Sequence, residues 1–286
     1  MNAKKKKRIV LLAVVLCLLL ALGIWIAHDN TALELNAYTI TSAALPKPFD
    51  GYRIAHVSDL HNTQIGENNE ELLSMLRETK PDVIAITGDL IDSRRTDTAV
   101  ALHFAKEAVS IAPCFYVTGN HEARLDDYAA FRNELTACGV VVLENECFEI
   151  ERGGETITLL GVDDPSFETD YLNGDADEVM QNMLSTLASN EHTFRVLLSH
   201  RPELFDQYVN YDINLVLSGH AHGGQVRLPF VGGVIAPNQG LFPKYDGGQY
   251  TRKNTTMIVS RGIGNSLFPF RVNNRPEVIL VDLKAE

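Results

Sequence analysis

The sequence predicts an α/β protein with two sheets behind one N-terminal apolar helix. Three observations carry that prediction. Short apolar runs alternate with amphipathic helical stretches through the first half of the chain. In the second half, strand-like runs follow one another with fewer helices between them, which points to a second, mixed sheet. Residues 9–27 form an uncharged run behind a basic tail.

That tail, residues 1–8, holds Lys4, Lys5, Lys6, Lys7 and Arg8, and no acid precedes Asp29. As a helix, residues 9–27 extend roughly 28 Å, close to the hydrocarbon thickness of a bilayer. A cleavable signal ends a shorter core on a small-x-small site, whereas cleavage after Ala27 places Trp25 at the minus-three position. A lipoprotein signal needs a small residue before Cys17, where Leu16 stands. The run therefore reads as a transmembrane signal anchor with Trp25 at its interface. The basic tail sets the N-terminus in the cytoplasm, so the expectation is a single-pass protein of the cell membrane with its main domain extracytoplasmic.

Residues 28–50 read as a linker and a first strand, closed by Pro46 and Pro48, and residues 51–286 as one domain. Strands are expected at 53–58, 82–87, 114–118 and 139–143. Between them, residues 69–80 (Leu72, Leu73, Leu76), 96–111 (Leu102, Ala105, Val109) and 125–138 (Tyr128, Phe131, Leu135) each show one apolar helical face. Further strands are expected at 148–151, 156–162, 195–199, 214–218, 257–260 and 278–282, with a helix at 176–188. Residues 219–248, rich in Gly, Pro and Asn, read as a long functional loop.

Of the 25 basic side chains, five lie in the tail, whereas all 37 acidic ones follow it, so the body is more acidic than the net −12 of the whole chain. Such a body repels nucleic acid, and none is expected as a partner. Cys17, Cys114, Cys138 and Cys147 show no paired CxxC spacing and read as small buried hydrophobes, one disulfide remaining open.

The chemistry-bearing residues sit just after expected strands, where open α/β sheets place ligands. Asp59-Leu60-His61 follows one, Gly88-Asp89-Leu90-Ile91-Asp92 the next and Gly119-Asn120-His121-Glu122 a third. Ser199-His200 and Gly219-His220-Ala221-His222 end two more. Each alone is compatible with a capped turn, but five strand ends bearing oxygen and imidazole donors point to a metal site. A carboxylate such as Asp89 offers two oxygens for bridging two cations, and the mixed donor set suits Mn, Fe or Zn better than Ca.

In this order the blocks resemble the calcineurin-like metallophosphoesterase family, with its pattern DxH, GDxxD, GNH(E/D), H and GHxH. The resemblance covers residues 52–283, and Gly219 to Gln225 behind an export segment is similar to the YkuE/YaeI-type bacterial branch. It implies a four-layer α-β-β-α sandwich and two divalent metal ions. By resemblance, Asp59, His61, Asp89 and His222 would hold one ion, and Asp89, Asn120, His200 and His220 the other. A hydroxide shared by both ions would attack phosphorus. His121 would stabilise or protonate the departing oxygen, with Asp92 orienting its ring; a purely structural role for His121 is the alternative. Protein-phosphatase relatives carry Arg directly after GDxxD, where Ser93 stands here, followed by Arg94 and Arg95. A phosphodiesterase is therefore expected over a protein phosphatase, on a phosphodiester or pyrophosphate of a lipid-linked or envelope molecule. A catalytically silent metal-binding scaffold and a purely structural membrane module are the competing classes, yet no ligand of the pattern is missing.

His28, His56, His103 and His192 receive no catalytic role. Arg201, Arg261 and Arg271 could grip a substrate phosphate or be solvated surface residues. The acidic stretch 163–177 could overhang the site or be a solvated loop.

Overall fold

Nothing in the sequence His28-Asp29-Asn30-Thr31 stops a helix, and the computed structural model carries α1 (Ala3–Thr31) through the basic tail, the apolar run and these four residues. The side-chain amide of Asn30 and the hydroxyl of Thr31 donate back to the carbonyls of Ile26 and Ala27, closing its last turn. Residues 3–169, 175–187, 194–265 and 268–286 are described; His192, residues 170–174 of the acidic stretch and Ala188 of the expected helix lie outside them. The apolar side chains of α1 are uncovered, and by length and composition it can cross a membrane. Only Ala32 and Leu33 separate it from β1 (Glu34–Ser42).

The first half continues as β2 (Arg53–Val57), α2 (Glu70–Thr79), β3 (Val83–Thr87), α3 (Thr98–Val109), β4 (Cys114–Val117), α4 (Tyr128–Ala137) and β5 (Val141–Val142). Then come β6 (Glu146–Arg152), β7 (Glu155–Gly161), α5 (Ala176–Leu187), β8 (Arg195–Leu198), α6 (Phe205–Asn210) and β9 (Leu215–Ser218). The expected loop at 219–248 is not bare. It folds into two small hairpins, β10 (Arg227–Leu228) with β11 (Gly232–Gly233) and β12 (Ile235–Ala236) with β13 (Gly240–Leu241). The chain ends with β14 (Gly248–Arg252), β15 (Thr255–Val259) and β16 (Glu277–Ala285).

Two six-stranded sheets result, in the orders β1-β16-β2-β3-β4-β5 and β14-β15-β9-β8-β7-β6. The central strands of each are parallel, joined by helices. The segment expected as a linker and first strand supplies the edge strand β1, parallel to β16, while its first residues, through Thr31, continue α1. Side chains alternate across each strand and so create three cores. Ala55, Val57, Ile84 and Ile86 face Leu72, Leu76, Phe104 and Leu135 of the first helices. Their strand neighbours Ile54, Val83 and Ala85 pack against Leu159, Val196, Leu198 and Leu217 of the second sheet. Leu160, Leu197 and Val216 meet Met180, Leu184, Phe205 and Tyr208 of α5 and α6. The layers are α-β-β-α, as expected. Cys114 is buried in the first core, but Cys147 is exposed on β6, and all four cysteines are free.

Candidate metal centre

Five strands deliver their C-terminal residues to one point. Asp59 and His61 follow β2, Asp89 follows β3, Asn120 and His121 follow β4, His200 follows β8, and His220 and His222 follow β9; all eight are buried. The backbone turns sharply there, with Asp59, His61, Asp89, His220 and His222 at φ values between 47° and 67°. In general that left-handed conformation costs about 1–3 kcal/mol for a side-chain-bearing residue and persists where the surrounding fold enforces it. Two glycines allow the close approach: a Cβ on Gly119 would collide with the Asp89 carboxylate, and one on Gly219 with the Ser58 hydroxyl.

The donors form two groups sharing one member. Ligand atoms of Asp59, His61, Asp89 and His222 lie within 4.8 Å of one another, as do those of Asp89, His200 and His220. Asp89 Oδ1 accepts the His121 backbone N–H at 2.8 Å. Its other oxygen, Oδ2, stands 3.4 Å from His61 Nε2 and 3.3 Å from His200 Nε2, facing both groups at once.

Hydrogen bonds behind the rings set which nitrogen faces the centre. His200 Nδ1 lies 2.7 Å from the Thr87 carbonyl, which only accepts, so Nδ1 carries a proton and Nε2 is the nitrogen that a neutral ring would offer to a cation. His220 Nε2 lies 2.9 Å from Asn238 Oδ1, the oxygen that also accepts from Arg201 at 3.0 Å. His220 therefore donates from Nε2 and presents Nδ1, 3.1 Å from His200 Nε2. His61 and His222 bring Nε2 atoms to 3.2 Å of each other. Asn120 Oδ1 is buried without a hydrogen-bond partner. Buried polar atoms are normally satisfied, and lone pairs converging beside two carboxylates are satisfied by cations. The donor set fits two divalent ions.

His121 belongs to neither of these two groups, although its ring nitrogen, with Asp92 and His61, forms a third cluster within 4.8 Å that shares His61 with the first. Its Nδ1 accepts the Ser93 backbone N–H at 3.0 Å, and its ring lies edge-on to His61 with centroids 4.5 Å apart. Asp92 Oδ1 is 3.5 Å from that nitrogen, while Arg94 takes the same carboxylate with two bonds of 2.8 and 2.9 Å. Ser93 thus supplies the hydrogen bond to this ring, and the Asp92 carboxylate acts on it only electrostatically, from 3.5 Å. Burial pulls the His121 imidazole down to about 4, keeping it neutral. With Nδ1 accepting, its one proton sits on Nε2, as a hydrogen-bond donor.

The three arginines offered as phosphate grips are engaged elsewhere. Arg201 is buried and binds Asp164 through Nε at 2.5 Å and a second nitrogen at 2.7 Å. Arg261 pairs with Glu277 and Glu34. Arg271 is fully buried and donates to the carbonyls of Arg261 and Gly264. None of them is a solvated surface residue or lines the site, and Asp164 is likewise buried rather than part of a solvated loop. Instead Arg94 and Arg124 line a cavity of about 280 Å³ together with Asp89, Asn120, His121 and the apolar Ile235, Pro237 and Phe268. His56 is a core residue bonded to the Thr87 hydroxyl.

Glu122 carries a role that the motif did not convey. Its carboxylate accepts the backbone N–H groups of Asp89 and Gly119, each at 2.8 Å, and of Ile91 at 3.3 Å, tying the turn after β3 to the turn after β4.

An α-β-β-α sandwich with acid, amide and imidazole donors at five strand ends defines a metallophosphoesterase. The chain belongs to the calcineurin-like phosphoesterase family, whose model matches residues 52–224. It is 32% identical over 260 residues to the uncharacterized metallophosphoesterase YkuE of Bacillus subtilis, covering 88% of this chain and 86% of that one. Phosphodiesterase YaeI of Escherichia coli is 27% identical over 238 residues, 81% of this chain and 82% of its own. Among solved structures, TT1561 of Thermus thermophilus aligns with a TM-score of 0.52 at 15% identity, over 74% of this chain and 90% of that one, a likeness of fold alone.

Proposed function

We propose that the protein is a membrane-anchored, dinuclear metal-dependent phosphodiesterase acting on a lipid-linked or envelope phosphodiester or pyrophosphate. The observation that carries the reading is Asp89 Oδ2, held between His61 and His200. In this reading Asp59, His61, Asp89 and His222 hold one ion, and Asp89, Asn120, His200 and His220 the other. Bound ions, here Mn, Zn or Fe, supply Lewis acidity and a water of lowered pKa. His121 donates from Nε2 to the oxygen that gathers charge, and Arg94 and Arg124 offer cationic contacts to substrate oxygens at the cavity wall. Glu122 and Ser93 hold these groups in register. The relative YaeI bears the name phosphodiesterase, and Ser93 in place of arginine speaks against a protein phosphatase.

The test uses the full chain, stripped of metal and reloaded with Mn²⁺, Zn²⁺ or Fe²⁺. It is offered a bis-aryl phosphodiester, an aryl monoester, a phosphopeptide and a phosphoester embedded in lipid. Metal-dependent turnover of the diester and the lipid-embedded ester is expected. Turnover confined to the phosphopeptide overturns the diesterase reading, and binding of metal without any turnover leaves a scaffold.

Topology is checked separately. With Lys4 to Arg8 inside and α1 spanning, protease added to cells stripped of wall or outer membrane should digest residues 32–286. Full protection of the domain would reverse the assigned orientation.

A further inference from the structure

Exposed apolar side chains on the two small hairpins and on the segment after β15 form a rim that reaches the cavity through Ile235 and Phe268. The β10–β11 hairpin exposes Leu228, Phe230 and Val231, and the segment after β12 exposes Leu241 and Phe242. Phe268 and Phe270 are exposed beside them, and Ile235 and Phe268 also line the cavity, so its apolar lining continues into this rim. Phe230 is 109% exposed, a ring without a neighbour. Residues 213–245 contain no acid in a chain that carries 37.

The backbone sharpens the point. Phe230, at the β10–β11 tip, and Phe242, just after β13, have φ values of 66° and 55°, a conformation in which bulky residues are outliers and which usually falls to Gly or Asn. The fold alone favours a different residue at both places.

Hydrogen bonds join the rim to the end of α1. Arg227 N–H donates to the Val272 carbonyl at 3.0 Å, Val234 N–H to Val226 at 2.9 Å, and Phe242 N–H to Val234 at 2.8 Å. The Asn30 amide donates to the Arg271 carbonyl at 3.0 Å and accepts the Arg271 N–H at 2.7 Å. Asp29 accepts the Asn273 N–H at 2.5 Å. Asn30 lies three residues, about 4.5 Å of helix, beyond Ala27, where the uncharged run ends. The rim is therefore fastened where α1 leaves the bilayer.

We propose that this rim is a membrane-insertion surface, entering the interfacial layer of the bilayer that α1 spans, so that the catalytic cavity opens toward lipid. The inference rests on reading α1 as a span and deepens the lipid-linked substrate class. Aromatic and aliphatic side chains partition into that layer, and Asp246, which binds the β10–β11 hairpin, is buried and paired with Arg227, whereas the acidic remainder of the domain stays out. A substrate's apolar portion lies along the rim while its phosphate reaches the site.

The test places a tryptophan at the rim of the full chain in phosphatidylcholine nanodiscs. In a Trp25→Phe background, Phe230→Trp is compared with Phe148→Trp on β6, in nanodiscs whose lipids carry a spin label just below the headgroup. Blue-shifted, quenched emission is expected at position 230 and unquenched emission at 148. Phe230→Asp with Val231→Asp, at a tip outside the cavity, should lower turnover of a lipid-embedded phosphoester about tenfold or more while changing a soluble diester by less than about twofold. Unquenched emission at 230 in chains that resist alkaline extraction overturns the rim alone. A blue shift without quenching means that protein covers the rim, and also overturns it. Release of the chain by alkaline extraction overturns the span itself. Quenching at 230 with turnover of soluble esters only upholds the rim and removes the lipid-linked substrate.

Discussion

Replacing Asp89 with asparagine should strip the centre of metal and reduce turnover to background, although the two side chains have the same shape. The reason lies in the two oxygens. Oδ1 is taken by the His121 N–H at 2.8 Å, and Oδ2 faces His61 and His200 together. If the new amide keeps its oxygen toward His121, its NH₂ group points at both metal positions, offering hydrogens where a negative lone pair is needed. If it flips, NH₂ meets N–H and two donors collide. Either way the bridging charge is gone, and the loss should exceed the roughly 10–100-fold in metal affinity that outer residues command in metal sites. Elemental analysis and turnover of purified Asp89→Asn check this, with melting of the metal-free forms as the control for folding. Two ions per chain at wild-type turnover would end the bridging reading.

The second large effect separates chemistry from metal retention. His121→Ala should keep both ions and lose about 10²-fold to 10⁴-fold in rate, the range for a residue acting on a proton or charge in flight. The geometry limits how His121 would act in the proposed role. Its Nδ1 accepts from Ser93 and burial favours the neutral ring, so the proton it would offer is the one on Nε2. His121→Gln, which retains an N–H donor, should recover part of the rate lost in His121→Ala. Metal lost along with activity in His121→Ala would make the residue a ligand or a structural support instead.

The strands and helices that build the two sheets were legible because their signals are local. Ile54, Val57, Ile84 and Ile86 sit in short apolar runs, and Leu72, Leu73 and Leu76 mark one face of a helix, so neighbours in sequence suffice to read them. The five donor blocks were legible for the same reason, since each occupies a few residues at the end of one strand. What escaped depends on partners far along the chain. Ser93 reaches His121 across 28 residues, and Glu122 reaches Asp89 across 33. Arg201 reads as a surface cation until Asp164, 37 residues earlier, is placed beside it. Arg271 is buried by carbonyls of its own loop rather than by any charge near it in sequence. The hairpins within 219–248 escaped because their strands are two residues long, too short for alternation to register.

Between the end of α1 at Thr31 and the start of β1 at Glu34 there are two residues, and β1 is locked along its full length to β16. A domain on a flexible tether wanders through a range of heights above the surface to which it is tied, and its reach is set by the tether. This chain has almost no tether. With α1 in a bilayer, the catalytic point sits at one fixed elevation, like the jaw of a calliper. Two esters of identical chemistry would then be told apart by how far each scissile bond stands from the hydrocarbon edge.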